Sequence, residues 1–363
     1  MKYTFKEIAF NSTEKRIPVE EDRFTYIGLE HLDSRKLSIT RYGSDVPLKG
    51  EKLVMRKGDI LFGKRNTYLK RVAIAPFDGL FSAHGMVLRP NEKVISREFF
   101  PFFLSSDYFL DEAIRISVGS LSPTVNWKDL KDLEFEIPDF DRQHKIAEVL
   151  SAANNLKESY EAMITATDEM VKSQFIEMFG KTKQASIGSL FDTTSGGTPS
   201  RTKSSYFDGG NIPWLTSSEV GQGLINKTES FITEEGLKNS SAKWIPANSV
   251  VVAMYGATVG KVGLLEIPCT TNQAVCSILP NDSIIPMFLL YAVKDKEEWM
   301  IDQAAGAAQP NISQAVIRKM EIPVPTKDEQ IAFVEIAKQA DKSKFELKQA
   351  IEKIDKVMRA LMQ

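Results

Sequence analysis

Gly119-Ser-Leu-Ser-Pro123-Thr-Val125 and Gly306-Ala-Ala-Gln-Pro310-Asn-Ile312 decide how this chain is built, because they are one passage written twice. At the same offset of 187 residues, Leu130 pairs with Ile317, Leu133 with Met320 and Phe135 with Ile322. The match continues through Pro138/Pro325, Asp141/Asp328 and Gln143/Gln330, 25 residues without a gap. A glycine, two prolines, an Asp, a Gln and the apolar phase coinciding together mark an internal repeat. A weaker match precedes it at an offset of 190: Gly58-Asp-Ile-Leu-Phe62 faces Asn248-Ser-Val-Val-Val252, and Val72 faces Val262. The chain is a tandem duplication whose units close alike and differ in their middles.

Each close leads into a long helix. Neither 141–179 nor 328–363 contains Pro or Gly, and Gly180 stands where a helix ends. Apolar or small residues recur at alternating spacings of three and four. In the first stretch they are Ile146, Val149, Ala153, Leu156, Tyr160, Met163, Thr167 and Met170. In the second they are Phe333, Ala337, Ala340, Leu347, Ile351, Ile354, Met358 and Leu361, with Lys344 interrupting. The period is near that of a coiled-coil seam. Helices of this length would each extend about 54–60 Å. Returning between two globular units, they are expected to run antiparallel, with the units at opposite ends.

The rest of each unit reads as mixed α/β. Short β-branched or aromatic runs at 59–62, 72–75, 86–88, 249–253 and 275–279 are bounded by Gly, Pro and Asn, as strands are. Helical stretches follow at 97–104 and 286–293. The expected division is a globular domain at 1–138, a helix at 139–180, a second domain at 181–325 and a second helix at 326–363.

Composition narrows the function classes. The 363 residues are 42% hydrophobic and 26% charged, which excludes wholesale disorder. The two cysteines, Cys269 and Cys276, have no His or third Cys at metal-ligand spacing and read as buried apolar residues in a reducing compartment. The opening MKYTFKEIAF carries charge at positions 2, 6 and 7 and no apolar core, and no run approaches the ~18 residues of a membrane span. A cytoplasmic protein with no membrane association is expected.

Catalytic patterns are missing. Gly256-Ala-Thr-Val-Gly260-Lys261 has three residues between its glycines where a phosphate loop has four, and Val262 stands where Mg²⁺ needs Ser or Thr. It reads as a Gly-containing turn between strands with an exposed lysine. No G-x-G-x-x-G occurs, no convergent carboxylate, His or Lys constellation is visible, and His31, His84 and His144 are scattered. No catalytic residue, metal site or cofactor is expected.

One family orders its motifs this way. Ser195-Gly-Gly-Thr-Pro199-Ser-Arg201 is followed by Ile212-Pro-Trp214-Leu-Thr216, Gly236-Leu237 and Ser240-Ser241. Next come Met254-Tyr-Gly256-Ala-Thr258-Val-Gly260-Lys261, Thr271-Asn272-Gln273-Ala and Ile322-Pro-Val-Pro325-Thr-Lys-Asp-Glu329-Gln330. The order resembles the target recognition domains of type I restriction-modification specificity (S) subunits, and the resemblance covers the whole chain. The first unit departs from it: the Gly-Gly-Thr-Pro stretch and the Pro-Trp are absent, and Gly63-Lys64-Arg65-Asn66-Thr-Tyr68-Leu-Lys70-Arg71-Val appears.

What the resemblance implies is a non-catalytic adaptor for double-stranded DNA. Each recognition domain would enter the major groove at one half of a bipartite, asymmetric target. The helices would fix the gap and dock two methyltransferase subunits, with restriction/translocase subunits joining later. Adenine methylation and ATP-driven cleavage would belong to those partners.

Within this reading, the run 49–71 holds Lys49, Lys52, Arg56, Lys57, Lys64, Arg65, Lys70 and Arg71 against Glu51 and Asp59. Arg can fork onto guanine and Asn onto adenine, each contributing roughly 1–3 kcal/mol of discrimination. Arg65, Asn66, Tyr68 and Arg71 are expected on bases, and Lys64 and Lys70 on phosphates. His84 either meets a base or caps a turn. In the second unit the candidates are Thr198, Ser200, Arg201, Tyr255, Thr258, Lys261, Asn272 and Gln273, with Gly256 and Gly260 letting backbone approach the duplex. Asn272 and Gln273 equally suit buried backbone groups, and Trp214 reads as core.

Three rivals stand beside this reading: the specificity partner of a fused methyltransferase-nuclease of type IIB kind, a coiled-coil scaffold whose heads bind proteins and, weakest, an NTP-binding enzyme. The formal charge of −2 falls in the first helix, where 141–180 carries 4 basic against 7 acidic residues. The balanced domains imply weak non-specific affinity for DNA in the isolated chain.

Overall fold

The computed structural model describes residues 1–304 and 310–362, so the 306–309 part of the repeat match lies outside the described residues. The chain forms two compact units, Met1–Ala162 with Leu347–Gln363, and Met163–Glu346. Each therefore contains a globular body and part of each of two long helices, α1 (Phe140–Phe179) and α2 (Lys327–Leu361).

In unit 1, one antiparallel sheet runs in the order Ala9–Ser12, Met86–Pro90, Ile60–Phe62, Val72–Ile74. Unit 2 repeats that order with Thr193–Ser195, Val275–Ile278, Val250–Ala253 and Val262–Leu265, and adds Gly223–Ile225 in parallel at the edge. The second sheet also recurs. Lys52–Met55, Gly79–Phe81 and Tyr26–Ile27 correspond to Trp244–Ile245, Cys269–Thr271 and Ile212–Leu215, and in both units the last of these strands pairs in parallel with the middle one. Gly58 (φ 88°) and Asn248 (φ 67°), partners at the 190 offset, turn the chain into corresponding strands.

Alternation along those strands explains their unbroken apolar runs. Ile60 and Phe62 pack among the helices while Leu61 faces the second sheet; Val250 and Val252 do the same as Ile60 and Phe62, and Val251 as Leu61. A central strand buried on both faces needs apolar residues at every position. Cys269 and Cys276 lie on such strands as buried free thiols, each pushed up to about 12 by burial.

The repeated glutamine anchors each helix to its body. Gln143 is buried; its Oε1 accepts from the Ser96 N–H at 2.6 Å and its Nε2 donates to the carbonyls of Val94 and Pro138. Gln330 repeats this with the Ile285 N–H at 2.8 Å and the carbonyls of Ser283 and Pro325. Buried amides must be satisfied in this way.

Inside each unit the two helix segments run antiparallel. In unit 1, Ala147 and Leu150 share a core with Met358 and Met362, and Lys157 pairs with Asp355 at 2.7 Å. In unit 2, Phe175 meets Phe333 edge-on at 5.2 Å and Lys344 pairs with Asp168 at 2.6 Å. Lys157 and Lys344, and likewise Asp168 and Asp355, are repeat partners at the 187 offset. Lys344, which interrupts the expected seam, is thus half of a duplicated polar pair.

The seam expected on α1 is corrected at every other position, whereas Ile146, Ala153, Tyr160 and Thr167 are half-buried, Ile146 against the core. Val149, Leu156, Met163 and Met170 are 44–53% exposed, and the buried positions include Ala147, Leu150, Val171 and Phe175. The seam on α2 holds at Phe333, Ala337 and Ala340, which are buried. A helix carrying two apolar stripes gives the same 3.5 period whichever stripe packs inward. No described helix is long and apolar enough to cross a membrane.

Candidate nucleic-acid interface

Between strands Ile60–Phe62 and Val72–Ile74, the segment 63–72 folds as a 3₁₀ turn, Thr67–Leu69, bracketed by two left-handed residues, Asn66 (φ 54°) and Lys70 (φ 48°). Its counterpart at offset 190 has a 3₁₀ turn at Gly256–Thr258 and left-handed Gly256 (φ 68°) and Gly260 (φ 82°). The two left-handed positions coincide at that offset, and the 3₁₀ turn between them is shifted by one residue. Glycine adopts that region freely, and a residue with a Cβ adopts it at a cost. Gly256 and Gly260 are therefore set by turn geometry, and Lys261 begins the return to a strand as the turn reading expects.

A second loop braces the first in both units. Asn66 N–H donates to the Pro123 carbonyl at 2.7 Å, and Val125 N–H to the Lys64 carbonyl at 3.0 Å. In unit 2, Gly256 N–H donates to Pro310 and Ile312 N–H to Met254, each at 2.9 Å. These are the residues of the duplicated passage, so the repeat encodes a two-loop cradle. Tyr255 pairs with Asn311, as Arg65 does with Thr124, in an isolated antiparallel bridge.

Upon this frame the expected contact residues of unit 1 divide. Arg65 is exposed, its Nε 3.4 Å from Ser122 Oγ, and Tyr68 is exposed beside it in the loop. Arg71, expected on a base, instead points along the loop's interior. It donates to the Leu29 carbonyl at 2.8 Å and the Arg65 carbonyl at 3.1 Å, and burial lowers its pKa. Lys70, expected on a phosphate, is engaged by Asp107 at 2.5 Å and Asp111 at 2.6 Å. Burial pulls its pKa down, but the two carboxylates outweigh that and leave it raised. Lys64 is half-buried, and burial together with Lys15 lowers its pKa. Asn66 has a buried Oδ1 that takes no hydrogen bond. His84 is exposed in the turn before strand Met86–Pro90, where its backbone N–H donates to Ser82 Oγ at 3.3 Å.

In unit 2 the motif residues fold onto each other. Gly197 N–H donates to the Thr271 carbonyl at 2.9 Å, and the Gly197 carbonyl accepts from Trp214 Nε1 at 3.1 Å. Thr198 Oγ1 donates to Gln273 Oε1, while Asn272 N–H donates to Leu215 and Asn272 Oδ1 accepts from Ala274 N–H. A Cβ on Gly196 would lie 1.9 Å from the Thr271 carbonyl, and one on Gly197 2.2 Å from Ser241 Oγ. Gly-Gly-Thr-Pro, Pro-Trp, Ser-Ser and Asn-Gln thus form one closely packed knot, with Trp214 in the core. Ser200 Oγ bonds Thr202 Oγ1 at 2.9 Å, and Thr258 Oγ1 donates to the Tyr255 carbonyl at 3.1 Å. Lys261 pairs with Glu297 at 2.6 Å. Outside these interactions, Arg201 is exposed beside Phe207, Trp214 and Phe231, and the Tyr255 ring is exposed in the cradle.

Sequence reasoning passed over Leu121, the apex of the bracing loop in unit 1, whose side chain is 96% exposed. A lone leucine in a Gly/Ser/Pro stretch carries no periodic signal; its exposure follows from the loop's shape. Among the described residues no cluster of three His, Cys, Asp or Glu could hold a metal ion.

Comparison with known proteins adds the family. The model described as "Type I restriction modification DNA specificity domain" matches residues 20–166 and again 181–356. The type I restriction enzyme EcoR124I/EcoR124II specificity subunit of Escherichia coli is 29% identical over 167 residues, 45% of this chain and 41% of that relative. The chain thus aligns with well under half of that relative's length. The putative type I restriction enzyme MjaX specificity subunit of Methanocaldococcus jannaschii is 24% identical over 378 residues, covering 92% of this chain and 85% of the relative. Among solved structures, the type I restriction-modification S subunit from M. genitalium superposes with a TM-score of 0.58 at 14% identity, covering 100% of this chain and 94% of that one. That likeness concerns the fold.

Proposed function

The chain belongs to the type I restriction modification DNA specificity family, with two matched segments in tandem, and from that premise we propose that it is the specificity subunit of a type I restriction-modification complex. Each unit reads one half of a bipartite target in double-stranded DNA. The observation that carries this is the duplicated two-loop cradle, tied by corresponding hydrogen bonds in both units and different in what its described residues expose: Arg65, Tyr68 and Leu121 in unit 1, Tyr255 in unit 2, where Arg201 is exposed beside Phe207, Trp214 and Phe231. Equal frames with unequal side chains fit two unlike half-sites, and phosphate contacts would only position them.

The helices receive the partners in this reading. Val149 and Leu156 in unit 1, and Met163 and Met170 in unit 2, are exposed at seven-residue spacing along α1. Such a stripe suits helices of two methyltransferase subunits, with restriction/translocase subunits completing the assembly in the cytoplasm. Methylation and cleavage, with their cofactors, would reside in those partners.

The test is the methylome of cells with and without the gene. A split, asymmetric motif that loses its methylation when the gene is deleted supports the proposal. An unchanged methylome in cells that carry the partner methyltransferase overturns it.

A further inference from the structure

We propose that Leu121 is a specificity-determining residue of unit 1, reading the methyl group of a thymine in the major groove. The inference rests on the DNA-reading function proposed above and adds to it a residue and a ligand group.

Two observations lead to it. Leu121 is 96% exposed, and a large apolar side chain held wholly in water forgoes the stabilisation that burial supplies. Its loop is also a built finger. Val118 and Thr124 exchange N–H···O bonds of 3.1 and 2.9 Å, closing the tip 119–123. Thr124 Oγ1 donates to the Ser122 carbonyl at 3.0 Å, and Gly119 takes φ 112° to make the reversal. At its base the finger is tied to the Arg65 loop through Asn66–Pro123 and Val125–Lys64, and below that Ser117 Oγ donates to the Ile114 carbonyl at 2.7 Å. The leucine is thus presented by a hydrogen-bonded frame, beside the exposed guanidinium of Arg65.

The chemistry of the base edges selects the occupant. At the tip Leu121 is the fully exposed apolar side chain, between the hydroxyls of Ser120 and Ser122, while Pro123 is half-buried and the exposed Val118 lies at the base of the finger. In the major groove, the thymine C5-methyl is the one apolar group among donors and acceptors. A single leucine flanked by polar groups and an arginine matches a thymine next to hydrogen-bonding edges.

The test uses the full chain co-expressed with its methyltransferase partner, as wild type, Leu121→Ser and Leu121→Met. Methylome sequencing should show Leu121→Ser relaxed at one T·A position in one half of the split motif, with Leu121→Met and the other half unchanged. A synthetic duplex of that motif with deoxyuridine replacing the thymine should bind the wild-type complex about fourfold more weakly, the contribution of one methyl group withdrawn from water. The Leu121→Ser complex should bind both duplexes alike. An unchanged motif in Leu121→Ser overturns the proposal, as does relaxation at a G·C pair or a wild-type complex indifferent to deoxyuridine at every thymine of that half. Loss of all methylation at an unchanged melting temperature also overturns it, because the finger would then be a general clamp. If Leu121→Ser fails to fold, the deoxyuridine series on the wild-type complex decides alone. A wild-type methylome without any split motif is a different failure: it removes the proposed function itself.

Discussion

The two cradles differ where their backbones agree. Unit 2 places Gly256 and Gly260 at the left-handed positions, and unit 1 places Asn66 and Lys70 there. Unit 1 compensates with side chains: Lys70 is held by Asp107 and Asp111, and Arg71 ties the loop to the Leu29 and Arg65 carbonyls. Unit 2 has no such cost to offset, because glycine takes these angles freely; its Gly196 and Gly197 pack elsewhere, against the Thr271 carbonyl and Ser241. One frame is thus reached with strained, side-chain-braced residues in unit 1 and with glycines in unit 2, and the outward side chains differ between them. On the proposed function, that separation would let the reading side chains differ between half-sites while the fold is kept.

The sharpest way to break the comparison is at the knot that only unit 2 has. Gly197→Val would drive Cβ into Ser241 Oγ and the Ala242 amide, and is expected to destabilise unit 2 by about 3 kcal/mol or more. Hydrogen exchange should show faster opening in 163–346 and unchanged protection in unit 1; equal loosening of both units would disprove the knot's local role.

Next in size is the exposed chemistry of unit 1. Arg65→Ala should relax a single position of one half of the methylated motif, by roughly 1–3 kcal/mol if its fork reads a guanine. Arg71→Ala should instead disorder the whole loop and weaken recognition of that half broadly. Methylome sequencing of the two variants separates them, and identical profiles would remove the distinction between reader and brace.

A reciprocal exchange tests the left-handed positions. Gly260→Lys adds a Cβ at φ 82°, costing about 1–2 kcal/mol, with no aspartate pair arranged to receive the new ammonium. Lys70→Gly relieves the strain and loses the two ion pairs, so its net effect should be smaller. Thermal melting of both variants measures the asymmetry, and equal losses would show that the ion pairs outweigh the backbone.

Acid should separate the units least. Asp22 is held below the ordinary carboxylate range by Arg16, and Asp107 by Arg35 with help from Lys70. Both belong to unit 1. Because their pKa values are lowered in the folded state, their stabilisation is full above the unfolded value near pH 4 and fades as pH falls through the folded values. In unit 2 the carboxylate held low, among the described residues, is the exposed Glu329. Hydrogen exchange between pH 5 and 2.5 should find unit 1 loosening first.

Much of the plan was legible in the residues. The duplication, the strands at 60–62, 72–74, 250–253 and 275–278, and both long helices follow from repetition and period, which are local in sequence. The inward stripe of α1 was not legible: Val149, Leu156, Met163 and Met170 repeat every seven residues, yet they face out. Periodicity identifies a stripe, but the body packed alongside determines which one is covered.

The same limit governs the contact residues. A basic run names Lys64, Arg65, Lys70 and Arg71 without ranking them, because the partners that engage two of them stand at Leu29, Asp107 and Asp111, far away in the chain. The resemblance picked out Thr198, Asn272 and Gln273, and the fold shows them bonded within the knot. Sequence alone determined the architecture, since repeats, helix length and strand alternation are properties of neighbouring residues. Tertiary structure alone decided which charges are satisfied, which glycines are squeezed and which leucine stands in water, since each depends on atoms brought together from distant positions.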